Sequence, residues 1–376
     1  MSQVFFKEEK NKFKSSPQEL KEKPIHRDQT VKLLLLLIAT KIFAFIYLFN
    51  IEYIAPYGRL QLNEWWLIFY RWDSAFYDRI ATLGYIDLKH WAFLPGFPAV
   101  IKAIYLLIGH SGVSTALAGL ICGLTWIPVY YKVASAYMED EAAIYSTLLF
   151  TFFPTVYVFT SIGYSEGLWL TSTLLGWYFY IKDKHLLSSL ALTVSTLTRI
   201  PGFILPTLII LRELLHYRVK RACLYLLPLI ALGMWFYYGF LSTGEPIAPL
   251  AAQQKTVWNP HLNFLELFMI GVIGGRPTAS WNESSVFIVI SLALFLYLYL
   301  KAFNVDKLLG IYSVCLFAVY LTTGYFLSMS RFLPFTFPIW MGVRVKKKSV
   351  IIPYILFNYL LALLLWSEFL NDRWIG

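Results

Sequence analysis

From residue 33 onward the chain is a succession of uncharged apolar runs separated by short polar or basic stretches. Most of the runs approach the roughly 20 residues that a helix needs to cross a bilayer. One such run fits inside a soluble core, but a series of them does not. Hydrophobic residues make up 58% and charged residues 14% of the 376, a balance that soluble globular domains do not show. The pattern predicts an all-α polytopic membrane protein, with a single transmembrane domain over 33–376. The polar tail at 1–32, rich in Lys, Glu, Ser and Pro, has too little apolar surface to pack and is expected to be flexible and cytosolic. The first apolar run is too long and too far along the chain for a cleaved signal peptide, so it is expected to stay as a signal anchor.

Helices are predicted near 33–50, 114–132, 142–160, 165–181, 186–198, 201–212, 222–241, 284–300, 308–327, 332–343 and 350–366. A further run, 99–108, carries Lys102 and is short enough to lie in the interface. Keeping it there gives eleven crossings. The basic loops around Lys132, Lys182, Lys184, Arg212, Arg218, Arg221, Lys301, Lys307 and Arg344 then share the cytosolic side with the tail. A crossing at 99–108 would turn all of them outward, against the positive-inside bias. Residues 51–112 are therefore expected to form an external loop with a juxtamembrane helix, and 242–283 a second external loop long enough to cover it.

These loops account for the net charge of +10 without a nucleic-acid partner. Cys122, Cys223 and Cys315 lie in or beside apolar runs, lack metal-site spacing, and read as small core residues. Lys41 falls at mid-depth of the first helix, where a cation faces a polar interior or snorkels to the interface. The sequon Asn282-Glu283-Ser284 falls at the edge of the second loop, close to the next helix.

The chemistry concentrates in the first loop, in RWDSAFYDRIATLGYIDLKHWAFLPGFP over 71–98. Arg71, Trp72 and Asp73 set a cation, a flat ring and a carboxylate side by side. An interfacial helix would also be rich in Trp, Tyr and Arg, and the two readings weigh about equally on composition alone. If 73–78 is helical, Asp73 and Tyr77 share a face and Asp78 points partly away, leaving Asp73 as a single base. Sugar transfer from an activated phosphate needs a base for the acceptor hydroxyl, a charge partner for the departing phosphate and flat surfaces for the sugar. Asp73 is placed for the first role, and Arg71, Arg199 and Arg331 for the second. Arg199 and Arg331 lie at hinges between apolar runs, where capping a helix or meeting lipid headgroups is the equal alternative. Glu166 opens a helix, a position that the helix dipole alone would favour for a carboxylate. Asp73, Asp78 and Asp87 lack a second acidic cluster to complete a metal cage, so neither a metal site nor a cofactor is expected.

The segment Trp72 to Tyr85, followed by Ala92-Phe93-Leu94-Pro95-Gly96-Phe97-Pro98, resembles the second mannosyltransferase of GPI-anchor synthesis, the PIG-V type. Further resemblances follow in matching order: Phe152-Phe153-Pro154 with Tyr164-Ser165-Glu166, Leu197-Thr198-Arg199 with Gly202, and Ser330-Arg331-Phe332 with Phe337-Pro338. Leu94, Gly96 and Ser165-Glu166-Gly167 depart from the family's wording, which bears on the fine substrate more than on the reaction class. The resemblance implies a GT-C bundle that moves mannose from dolichyl-phosphate mannose, or a similar polyprenyl-phosphate sugar, to a lipid-linked glycan with inversion. It implies Asp73 as the catalytic base and Arg71, Arg199, Arg331 and Glu166 as phosphate or acceptor contacts. Trp72, Tyr77, Tyr85 and His90 would line the sugar pocket, with packing against neighbouring helices as the equal alternative for the rings. The host membrane would be the endoplasmic reticulum in a eukaryote or the plasma membrane in a prokaryote, with the site on the lumenal or external face. The runners-up are a GT-C enzyme acting on another glycolipid or a surface-protein glycan, and a lipid or solute transporter.

Overall fold

A computed structural model describes residues 27–51, 58–255, 285–322, 329–345 and 347–373. The tail to residue 26, most of the expected covering loop and the sequon at Asn282 lie outside the described residues. The described elements are helical. Helix α1 is Arg27–Phe49, followed by a 3-10 turn, Leu62–Phe69. The loop helices α2 (Asp73–Leu83) and α3 (Gly96–Ile108) flank a second 3-10 turn, Leu88–Ala92. The bundle continues through α4 (Ser111–Tyr137), α5 (Asp140–Thr151), α6 (Pro154–Phe159), α7 (Glu166–Ile181), α8 (His185–Thr198) and α9 (Ile204–Leu215). Then come α10 (Val219–Leu224), α11 (Leu226–Thr243), α12 (Ala248–Lys255), α13 (Ser285–Lys301), α14 (Lys307–Thr322), α15 (Met329–Phe332), α16 (Phe337–Gly342) and α17 (Lys348–Leu370).

Four stretches among the described residues are long and apolar enough to cross a bilayer: Asp28–Phe49, Ser111–Tyr137, Val219–Thr243 and Lys348–Leu370. Together they make this a multi-pass membrane protein. The other predicted segments correspond to shorter or broken helices. Residues 142–160 become α5 and α6, because Pro154 holds Phe153 extended (φ −63°, ψ 128°) and opens a new helix at its own first position. Residues 332–343 break in the same way at Pro334 and Pro338. The run at 99–108 forms a short apolar helix of its own, α3.

Each break frees backbone groups that an apolar surrounding cannot solvate, so the interior must satisfy them. Trp340 Nε1 donates to the Pro334 carbonyl at 2.7 Å, and the Tyr299 hydroxyl to that of Leu333 at 2.9 Å. Ser146 Oγ reaches the Trp340 carbonyl at 2.9 Å, and the Gly163 N–H donates to Phe69 at 2.8 Å.

The 160–165 loop matters most, because it leads into Glu166. It lies directly on α4, where a Cβ at Gly123 would stand 1.6 Å from the Thr160 carbonyl oxygen and one at Gly119 would stand 2.1 Å from that of Ile162. Lys41 braces the same loop from α1, donating to Ser161 Oγ with its ammonium 4.8 Å from the Tyr157 ring centroid. The cation at mid-depth therefore faces the interior. At Gly233, on the exposed side of α11, nothing lies within 4 Å of an added Cβ. Gly123→Ala is expected to lose about 1–3 kcal/mol from overpacking, and Gly233→Ala to lose nothing. Thermal unfolding of the two variants in detergent checks this.

Candidate functional site

Four charged residues converge at the end of the bundle where α7 begins and α8 ends. Asp73 is the first residue of α2, a position where the helix dipole favours a carboxylate. The residue before it, Trp72, has φ +49°, strained for a bulky side chain, and is 43% exposed. That turn brings the Asp73 N–H to the Tyr164 hydroxyl at 3.1 Å. Glu166, buried at the first position of α7, accepts from Arg331 Nε at 2.6 Å and Nη2 at 2.5 Å, both at Oε1. Arg199 Nη1 reaches the same oxygen at 2.8 Å. Arg331 Nη1 lies 3.4 Å from Asp73 Oδ2, so one guanidinium spans both carboxylates.

The two arginines differ in setting. Arg331 is enclosed, 4% exposed, with its guanidinium carbon 4.5 Å from the Phe159 ring centroid and 4.7 Å from that of Tyr164. Arg199, held extended between α8 and the Ile200–Phe203 turn, is 19% exposed, stands over the Phe332 ring and donates to Ser165 Oγ at 3.2 Å. Ser165 also accepts the Tyr77 hydroxyl at 2.8 Å, which places Tyr77 on the same helix face as Asp73. Asp78 turns the other way and accepts from Tyr70 at 2.8 Å and Ser111 at 3.2 Å.

Burial pushes the Asp73 carboxyl above its usual range, while the Arg331 charge pulls against that rise. A carboxylate tuned upward and still 18% exposed is a stronger proton acceptor than an ordinary aspartate. Among the described residues, no group of three or more His, Cys, Asp or Glu is arranged to hold a metal ion.

The structure thus brings together Asp73, Glu166, Arg199, Arg331 and Tyr77, with Trp72 beside them. Arg71 is placed elsewhere. Its guanidinium donates to the Tyr70 carbonyl at 2.9 Å and to those of Leu67 and Leu370 at 3.4 Å, with Asp372 at 3.9 Å, so it ties the loop to the end of α17. Tyr85 packs on Trp91 and Trp235, at 4.7 and 4.9 Å between centroids, and donates to the Phe93 carbonyl. His90 is fully buried next to Phe76 and accepts the Asp87 N–H at 3.2 Å, and burial pushes its imidazole toward the neutral form. Helix α12 packs over this aromatic group through Ala248 and Ala252. Tyr164 and Ser165 were not singled out from sequence as site residues. Their signal was their place in the Tyr164-Ser165-Glu166 stretch of the family resemblance, directly before a helix start.

No protein-family model matches the chain. GPI mannosyltransferase 2 of Schizosaccharomyces pombe is 24% identical over 140 residues, which are 35% of this chain and 29% of that relative. Among solved structures, ArnT from Cupriavidus metallidurans in the apo state aligns with a TM-score of 0.51 at 17% identity, covering 85% of this chain and 61% of that one. The Archaeoglobus fulgidus oligosaccharyltransferase in the apo form aligns at 10% identity with a TM-score of 0.49, over 94% of this chain and 57% of that one.

Removing the guanidinium from the cluster leaves Glu166 with Arg199 as its one cationic partner of those described. Arg331→Met is expected to destabilise by about 3–5 kcal/mol, as when one partner of a buried pair is lost. Arg331→Lys, which keeps the charge and loses the fork, should cost less. Thermal melting in detergent distinguishes the two.

Proposed function

The chain carries the GT-C glycosyltransferase fold, and on it we propose a membrane mannosyltransferase that takes its sugar from a polyprenyl phosphate such as dolichyl-phosphate mannose. The observation that carries this reading is the pairing of a part-exposed, upward-tuned Asp73 with two arginines at one bundle end. The partial likeness to a GPI mannosyltransferase supports mannose as the sugar and a lipid-linked glycan, as in addition of the second mannose to a GPI precursor, as the acceptor.

In this reaction Asp73 accepts the proton of the acceptor hydroxyl as its oxygen attacks the anomeric carbon. The bond from that carbon to the phosphate oxygen breaks on the opposite face, so the configuration inverts. The departing lipid phosphate goes from one negative charge toward two, and a cation that meets it gains most in the transition state. Arg199, the more exposed of the pair, is placed to make that contact, and Arg331 holds the carboxylates. Trp72, the exposed ring beside the base, offers a face to the sugar's apolar edges, while Tyr77, buried against Phe93 and Phe97, forms the wall behind it with Tyr85 and His90. The site faces the lumen of the endoplasmic reticulum, or the cell exterior in a prokaryote. Arg199 supplies the countercharge at the phosphate, so the proposal calls for no metal ion.

Purified protein in detergent, given dolichyl-phosphate mannose and a lipid-glycan extract, should transfer mannose, and Asp73→Asn should abolish transfer. Full turnover in Asp73→Asn would sink the assignment of the base. Transfer should persist in EDTA. Because the base must be ionised and burial raises its pKa, the rate should fall as the medium is acidified. The midpoint should lie above the roughly 3.9 of an ordinary aspartate, and a pH profile of kcat/KM reads it.

A further inference from the structure

Resting on the reading of Asp73 as the base, we propose that Glu166 is a positioning residue: by engaging the Nε and Nη2 groups of Arg331, it keeps that guanidinium from clamping Asp73 and so leaves the base free to take a proton. A guanidinium beside a carboxylate ordinarily closes into a two-bonded fork with short contacts. Here two of its nitrogens, Nε and Nη2, converge on one oxygen of Glu166, at 2.6 and 2.5 Å, and the Asp73 contact from Nη1 is longer, at 3.4 Å. Arg199 is drawn to the same Glu166 oxygen at 2.8 Å, so one carboxylate engages both cations of the site.

Glu166 is anchored for this role. It is 1% exposed, and next to it Gly167 lies so close to α4 that a Cβ there would stand 2.7 Å from the Cys122 backbone. Before it, Ser165 is held by both Tyr77 and Arg199. Its second oxygen, Oε2, is buried and has no hydrogen-bond partner among the described residues.

The charged and titratable groups facing Asp73 are Arg331 from α15, Glu166 at the start of α7, Arg199 after α8, Tyr164 from the preceding loop and Tyr77 one turn along α2. Burial raises the Asp73 carboxyl, Arg331 lowers it and Glu166 raises it again. Loss of Glu166 therefore acts twice in one direction. Its charge disappears, and Arg331 is released to close on Asp73. Both make Asp73 a weaker base.

The test is a carboxyl infrared titration of the full chain in detergent, with the Asp73 band identified by its loss in Asp73→Asn. In Glu166→Gln the Asp73 midpoint should move down by about one pH unit, a tenfold loss of proton affinity, and kcat should fall more than KM changes. Glu166→Asp keeps the charge but retracts it by one methylene, so the midpoint should still fall, by less. A residue that only supports the fold would leave the midpoint in place. An unmoved or raised midpoint in either folded variant overturns the proposal. Mannose transfer assayed alongside separates the two readings: persistent transfer in Asp73→Asn sinks the base itself, whereas abolished transfer with an unmoved midpoint sinks the role of Glu166 alone.

Discussion

Arg331 is an ionised side chain almost wholly withdrawn from water, and that withdrawal costs several kcal/mol unless partners surround it. Its partners come from distant places. Asp73 is 258 residues away and Glu166 is 165. The rings of Phe159 and Tyr164 add their faces to the cation. A cation buried in this way is satisfied in one arrangement of the first loop, the α6 to α7 connection and α15. The pairing is thus a registration device as well as a site.

The same junctions are where the helices break. A continuous membrane helix hides its backbone but offers few places to aim a side chain along the bundle axis. Breaks at Pro154, Pro201 and Pro334 give up helical hydrogen bonds and gain such places. The loss is made good locally by donors such as Trp340 and Tyr299, and the close approach at Gly119 and Gly123 presses the 160–165 loop against a long helix. The placement of Glu166, at the end of that pressed loop, derives from the backbone more than from the residue itself.

Much of this was legible from the chain, because apolar runs act locally. The helix at α3 and the common face of Asp73 and Tyr77 follow from spacing within a dozen residues, whereas Pro154 divides what reads as one apolar run over 142–160. Arg71 shows the limit. Its neighbours Trp72 and Asp73 belong to the site, yet its own guanidinium runs to the carbonyl of Leu370, some 300 positions later, and no local pattern foretells that. Lys41 was open between interior and interface for the same reason, since its acceptor, Ser161, comes from another segment. Likewise Glu166 read as a dipole-favoured helix start, which it is, while its grip on two arginines depends on tertiary structure.

The site's charges also argue for a division between its two arginines. Asp73, Glu166, Arg199 and Arg331 sum to zero, so without substrate the pocket has no surplus cation with which to bind a phosphate strongly. A donor that carries one negative charge would then gain little in the ground state. In the proposed reaction the phosphate gains charge as it departs, and Arg199, which stacks on Phe332 and is the more exposed of the two, would turn toward it while Arg331 stays on Glu166. Countercharge offered late in the reaction favours the transition state over the bound donor, which is where binding energy raises a rate. A pocket with a third, unpaired arginine would hold the spent lipid phosphate more tightly and release it more slowly.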